Sequence, residues 1–457
     1  MQNIIVIVYL FAVLVVGILA GRRVTNIKEY AVAGKSFGSM VIFATLSASF
    51  IGGGFSMGNA EKVFLIGIAN ILALWGFSLK EILVALFIAP RMKLYPDAIS
   101  VGDIMEPHYG KGARIFSGLF GVVLCAGILG AQVGAMGYIF NLFLGIDRTT
   151  GILIGCSIVI AYTSIGGMRS VIWTDVMQFV VLGVGIPLTL FYGIQYAGGW
   201  GTMIQRIPPA HLQLPSTPAG IVALVSLFLT FVLGETLVPP YVQRLLIGKT
   251  ERDVSRGTLF SGLFSIPFFA VTGLIGIVAL SLDPGLNPNL ALPFVVQASL
   301  HPVLQGIVIA AIISIIMSSA DSFLNGAAIA FSNDLVAPLR KTPLAPSAEL
   351  FLARATTLIV GVGSVIFALS IESVLDILIY AYNFWAPTVV VPLGAAILGF
   401  RTTKSRFIGG AVAGIATALL WNSLLHAPYG IDGLVMGCFA NLTVFFLIPA
   451  GRETAEG

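Results

Sequence analysis

A chain of 457 residues that is 57% hydrophobic and only 10% charged cannot cover a water-soluble fold, which carries roughly 25% charged residues. Its apolar residues come in blocks of about 18 to 25, the length a helix needs to cross a hydrocarbon core of roughly 30 Å. The alternation of a transmembrane barrel is absent, so helices are the way left to satisfy the backbone in lipid. The net charge of +4 points to no nucleic-acid partner. Cys125, Cys156 and Cys438, odd in number and inside apolar stretches, argue against a disulfide framework.

The hydropathy pattern predicts an all-α membrane protein of about thirteen transmembrane helices: 3–21, 37–58, 64–89, 113–144, 150–165, 171–196, 218–240, 257–281, 300–331, 351–371, 374–399, 406–425 and 429–449. The first apolar stretch lacks a basic segment before it and a small-residue cleavage site, and Arg22 and Arg23 follow it. It therefore reads as a first span with its N-terminus outside rather than a signal peptide. Thirteen crossings then put the C-terminus in the cytoplasm. On that topology twenty of the 24 Lys and Arg, Arg244 among them, fall in cytoplasmic segments; Lys62, Arg148 and Arg206 are external, and Lys80 lies within a span. Such a bias is the positive-inside signature of a multi-pass cell-membrane protein. No phosphate-cradling glycine loop appears, which argues against an ATP-driven pump.

The second span carries Gly52, Gly53 and Gly54 at its middle. Each glycine weakens a helix by roughly 1 kcal/mol relative to Ala, so the spacing predicts a break there, although close packing of small residues is the plainer alternative. Five spans later Gly234, Glu235 and Pro239-Pro240 interrupt "LVSLFLTFVLGETLVPPYVQR". Interruptions in corresponding positions of two five-helix units suggest an inverted repeat, 37–196 and 218–399, with broken helices at a transporter's binding site. Residues 1–36 then form a leading helix and its link, and 400–457 two trailing helices and a short tail.

In the ninth span Ser314, Ser318, Asp321, Ser322 and Asn325 recur at three- and four-residue steps and make one polar stripe, with Ser319 beside it. A carboxylate in a transmembrane helix costs at least ~2.5 kcal/mol on insertion scales; it persists when paired, protonated or bound to a cation. Hydroxyl, carbonyl and carboxylate oxygens are the ligands of hard cations. Serines that back-bond to the preceding turn would explain Ser314 but not Asp321. A second carboxylate, Asp175, lies near the inner end of its span, where it could share a cation or a proton, pair with Lys80, or simply answer the helix dipole.

Taken in order, "EYAVAGKSFG" (29–38), the glycine-broken span, "GGMRSVIWTDVMQ" (166–178), "PPYVQRLLIGKTERDVSRG" (239–257), "ALPFVV" (291–296) and "IIMSSADSFLNGAAIAFSND" (315–334) resemble the sodium:solute symporters. That family includes sodium/glucose, sodium/proline and sodium/sialic acid carriers. The resemblance implies a LeuT-type five-plus-five inverted repeat with one leading and two trailing helices, and alternating access driven by inward sodium movement. It implies a main sodium site built from the carbonyls of Ala48, Ile51 and Ile315 and the hydroxyls of Ser318 and Ser319. It also implies, for some members, a second cation or proton site at Asp175, Ser318, Asp321 and Ser322, hence one or two Na+ as coupling ions. Two positions depart from the pattern: Asp321 stands where sialic acid carriers have a serine, and Phe50 where proline carriers place an acid.

The substrate is expected near the two breaks, among Ser49, Gly53, Phe55, Lys80, Gln132, Glu235, Tyr382 and Trp385. Lys80 would receive a carboxylate and Glu235 an amine, which suits an amino acid or small organic acid; an ion pair between Lys80 and an acid is the competing expectation. Lys80 and Glu81, adjacent on a helix, point about 100° apart and need not pair with each other. Proton-coupled and sugar-type symport, a channel and a transporter-like sensor are the rival readings. An enzyme is not expected, because the four histidines lie at loops or span ends without metal spacing. The partners expected are a small solute, sodium and the bilayer, with the chain acting as a monomer.

Overall fold

The computed structural model describes residues 1–51, 53–342, 344–370 and 384–449, and every regular element among them is helical. Helix α1 (Gln2–Gly21) leads, followed by a short α2 (Ile27–Val32), capped by the Asn26 side chain. The first broken span is α3 (Ser39–Phe50) and α4 (Gly53–Ile66), bent by 50° at the break. Helix resumes at Gly53, so the three expected breaker glycines do not all lie outside helix. Gly67, at φ +82°, turns the chain so tightly against His211 that a Cβ would meet backbone at 2.3 Å. Helix α5 (Ala69–Leu83) begins after it, five residues later than the hydropathy suggested.

Next come α6 (Val101–Tyr109), α7 (Lys111–Leu144) and α8 (Arg148–Tyr196). At 49 residues and 1.5 Å per residue, α8 would be roughly 70 Å long if straight, more than twice a bilayer core. Gly167 divides it with a non-helical conformation (φ 51°, ψ −137°), where the fifth and sixth predicted spans meet. A Cβ there would lie 2.3 Å from the Tyr30 carbonyl oxygen. A short α9 (Trp200–Gln205) follows.

The second broken span is α10 (Pro218–Leu233) and α11 (Pro239–Leu245). Leu237 between them is left-handed (φ 53°), and prolines open both helices, where a missing N–H costs nothing. Then come α12 (Glu251–Leu282), α13 (Ala291–Ser299), α14 (Pro302–Ile329) with a π-helical extension at Ala330–Val336, α15 (Ala337–Leu339) and α16 (Pro346–Ser370). The apolar helices Ala386–Leu398, Lys404–Leu419 and Gly433–Leu447 close the described chain.

By length and apolarity eight helices among the described residues suffice to cross a membrane, nine with the bent pair, and three shorter apolar helices accompany them. Burial sorts them. The span containing α14 is 78% buried, whereas α1 is 28% buried and buries a single stripe, Val6, Leu10, Val13, Gly17 and Gly21. Helix α14 is thus the core element, with α8, α7, α1 and α3 packed around it; α12 binds α3, α4 and α5 on the other side. One extended bridge, Phe37 to Gly248, joins the start of α3 to the end of α11.

Candidate functional site

The break after α3 faces the middle of α14. Ser318 Oγ donates to the Ala48 carbonyl (2.8 Å) and lies 3.2 Å from that of Ile315. Ser319 Oγ donates to the Ser49 carbonyl (2.9 Å), with the Ile315 oxygen at 3.3 Å. All of these residues are buried. The carbonyls of Ala48 and Ser49 are exposed to side chains because the helix ends at Phe50 and the following N–H groups are not aligned to take them. Of the five expected sodium ligands, four therefore converge; the fifth, the Ile51 carbonyl, accepts from Ser56 Oγ (2.8 Å). The set is all oxygen, which suits a hard cation.

Next to this layer lies a buried ion pair that sequence reasoning did not anticipate. Arg244, expected in a cytoplasmic loop, is fully buried and bonds Asp175 Oδ2 at 2.8 Å. Its remaining donors reach Thr45 Oγ1 (3.0 Å), the Pro240 carbonyl (3.1 Å), Ser49 Oγ (2.6 Å) and Ser322 Oγ (2.6 Å). Asp175 also accepts from Thr45 and Ser49, and its Oδ1 has no hydrogen-bond partner among the described residues. Helix α11 starts at Pro239 inside the protein rather than at its surface, so Arg244, in its second turn, points inward at the carboxylate.

Asp321 takes a different set of partners. Its Oδ2 accepts from the Tyr162 hydroxyl (2.5 Å), and its Oδ1 lies 3.1 Å from Ser322 Oγ. Thr174 Oγ1 is 3.4 Å away. The polar stripe of α14 thus divides: Ser318, Ser319 and Ser322 turn to α3, Asp321 to α8, and Ser314 to Tyr9 of α1. Among the described residues Asn325 reaches Gln243 alone, at 3.5 Å. One turn beyond Asp175, buried Gln178 has neither amide atom partnered among the described residues; the motif containing it was legible, its isolation was not.

The expected substrate residues scatter. Ser49 belongs to the Arg244 network. Phe55 packs on Phe77, Phe231 and Phe269, with ring centroids 5.3–6.2 Å away. Trp385 is buried and donates to the Thr236 carbonyl at 3.2 Å, fastening the second break. Glu235 is 8% exposed in that break, Gln132 is partly buried, Gly53 opens α4, and Tyr382 lies outside the described residues. Lys80 does pair with its neighbour: Nζ is 2.7 Å from Glu81 Oε1, both buried. The 100° between adjacent helical positions is bridged because both long side chains bend into the same water-free space. The ammonium completes its surroundings with ring faces, Phe77 at 3.9 Å and Tyr241 at 4.4 Å.

The model of the sodium:solute symporter family matches residues 30–417. The chain is 25% identical to the high-affinity proline transporter PutP of Bacillus subtilis, over 95% of both chains. It is 24% identical to the sodium/proline symporter of Escherichia coli, over 98% of this chain and 93% of that one. Among solved structures, a sodium-coupled sialic acid symporter in a substrate-bound outward-open state superposes with a TM-score of 0.81, at 20% identity and 98% coverage of both chains. Mhp1, a nucleobase-cation-symport-1 family transporter, does so at 0.60, with 15% identity and coverage of 92% of this chain and 96% of that one. Broken helices, an oxygen-lined layer between the first of them and α14, and a family match over most of its length place this chain in the sodium:solute symporter family, with the LeuT-type fold, as a sodium-coupled solute symporter.

Proposed function

We propose that the chain takes up an amino acid or a small organic acid together with sodium bound between α3 and α14. Ala48, Ile51 and Ile315 supply carbonyls, Ser318 and Ser319 hydroxyls. The observation that carries this is the aim of both serine hydroxyls at carbonyls of the α3 break and at Ile315. On sodium binding the two hydroxyl hydrogens turn outward, which frees the oxygens of Ala48, Ile315, Ser318 and Ser319 as ligands, and the Ile51 carbonyl joins them by turning from Ser56. The relatives named for proline make proline the first solute to try. The repeats 37–196 and 218–399, an outside N-terminus, a cytoplasmic C-terminus and action as a monomer belong to the same reading.

Two carboxylates, Asp175 and Asp321, are buried here, and of the two the Arg244 guanidinium bonds Asp175 alone among the described residues. The negative charge left over, and the unpartnered Oδ1 of Asp175, support a second coupling cation or a proton among Asp175, Ser318, Asp321 and Ser322. Lys80, held by Glu81, supports the solute site less than Glu235 and Trp385 at the second break do.

Uptake of labelled proline into proteoliposomes, with sodium replaced by choline, tests the reading. Ser318→Ala/Ser319→Ala should raise the sodium concentration for half-maximal uptake at least tenfold, equivalent to about 1.4 kcal/mol. Uptake indifferent to sodium, or to this double substitution, would overturn it. Asp321→Ser should change sodium stoichiometry or pH dependence; if it changes neither, the second site is wrong.

A further inference from the structure

A cavity of about 290 Å³ opens away from the transport site, between α2, the end of α14 and the start of α16. Ile27, Ala337, Leu344 and Leu352 give it apolar walls, and Arg340, Lys341, Thr342 and Glu349 supply its polar groups. Its size is at the lower end of small-molecule sites, roughly 300 Å³.

The two basic side chains are unspent: among the described residues neither the Arg340 guanidinium nor the Lys341 ammonium makes an ion pair or hydrogen bond. The acids nearby are committed elsewhere. Arg114 holds Asp103 (2.9 Å), Glu106 (2.6 Å) and Asp334 (3.6 Å), and Asn333, which also lines the cavity, donates its amide to Ser100, Asp103 and Asp334. Glu349 lines the same space and makes no ion pair among the described residues. Leu339 and Phe351, near the ends of helices apolar enough to span a membrane, are 70% and 72% exposed.

We infer that this cavity is a headgroup site for an aminophospholipid such as phosphatidylethanolamine. Arg340 and Lys341 take the phosphodiester, Glu349 takes the primary ammonium, and the acyl chains run over Leu339 and Phe351. Basic pockets between spans are known hosts of lipid headgroups; the carboxylate opposite the two cations selects a zwitterion that can donate N–H over an anionic lipid. Because Asn333 and Ala337 continue the helix that carries Ser318 and Ser319, an occupied cavity braces the far end of that helix.

The test is thermal unfolding of the purified full chain in detergent with phosphatidylethanolamine, phosphatidylcholine or phosphatidylglycerol, and separately with inorganic phosphate or phosphoethanolamine. Phosphatidylethanolamine should raise Tm by several degrees beyond phosphatidylcholine, as a ligand of the native state does. Arg340→Gln/Lys341→Gln should bring that shift down to the phosphatidylcholine level, and Glu349→Gln should erase the preference between the two lipids. Equal shifts from both lipids, a double variant that keeps the shift, or a larger shift from phosphatidylglycerol would overturn the proposal. Phosphate or phosphoethanolamine reproducing the shift would also overturn it, in favour of a soluble ligand. Stabilisation by sodium, measured in the same variants, should be unchanged, which separates this site from the transport site.

Discussion

Two buried ion pairs put their cations 5.6 and 5.8 Å from the Phe50 ring and are built on opposite principles. Arg244 and Asp175 are joined by hydrogen bonds: the guanidinium spends its donors on two serines, a threonine, a carbonyl and the carboxylate. Lys80 and Glu81 share one contact, and the ammonium otherwise rests on Phe77 and Tyr241, while Glu81 Oε2 has no hydrogen-bond partner among the described residues. The first pair draws its partners from α3, α8, α11 and α14, two of which, α3 and α14, also hold the serine layer. The second is local to α5 and leans on rings. A hydrogen-bonded pair registers any shift between its helices; a ring-seated one tolerates small slides.

The sharpest way to break this contrast is Arg244→Met, which strands Asp175 in the core. Removing one partner of a buried pair costs about 3–5 kcal/mol, so folded yield and Tm in detergent should collapse, and adding Asp175→Asn should restore much of both. Glu81→Gln should cost less, because the ring faces still hold the Lys80 ammonium with about 2 kcal/mol of cation–π attraction; equal Tm losses for the two single variants would erase the distinction. Tyr162→Phe removes a donor to Asp321, and a hydrogen bond to a charged group is worth about 1.5–3 kcal/mol. Its unfolding midpoint should fall between wild type and Arg244→Met. The surface supplies the baseline. Lys28 and Asp97 pair at 2.8 Å but are 57% and 86% exposed, so Lys28→Ala should leave Tm unchanged at neutral pH. The hydrogen bond from Lys28 holds the Asp97 carboxyl below its ordinary range. Whatever the pair contributes is therefore present at neutral pH and lost as the pH falls through that lowered value.

The polar stripe of α14 and the glycines of the break were legible because their signal is local; that Ser318 and Ser319 meet that break was implied by the family resemblance alone. The α8 kink was legible too, as a gap between two predicted spans around Gly167. Arg244 was not. It shares a segment with Lys249, Arg252 and Arg256, and in a count of loop charges a buried arginine looks like its solvated neighbours. The clue was its place in the second turn of a helix that Pro239 and Pro240 begin, together with an Asp175 in need of a cation. The ion pair of Lys80 was the competing expectation, but Glu81 was not singled out as its partner, because backbone geometry alone separates adjacent residues, whereas side chains of this length can meet again once water is excluded. The ring packing of Phe55 needed long-range information: nothing in its own helix reveals Phe231 or Phe269.

The bridge between Phe37 and Gly248 has a mechanical side. Phe37 donates to the Ile247 carbonyl (3.1 Å) and accepts from the Lys249 N–H (2.9 Å), so the entry to one interrupted helix is clasped to the exit of the other. Two levers pinned at one joint lose a degree of freedom. At this end of the molecule α3 and α11 can tilt about the clasp, but neither can slide lengthwise without drawing the other along.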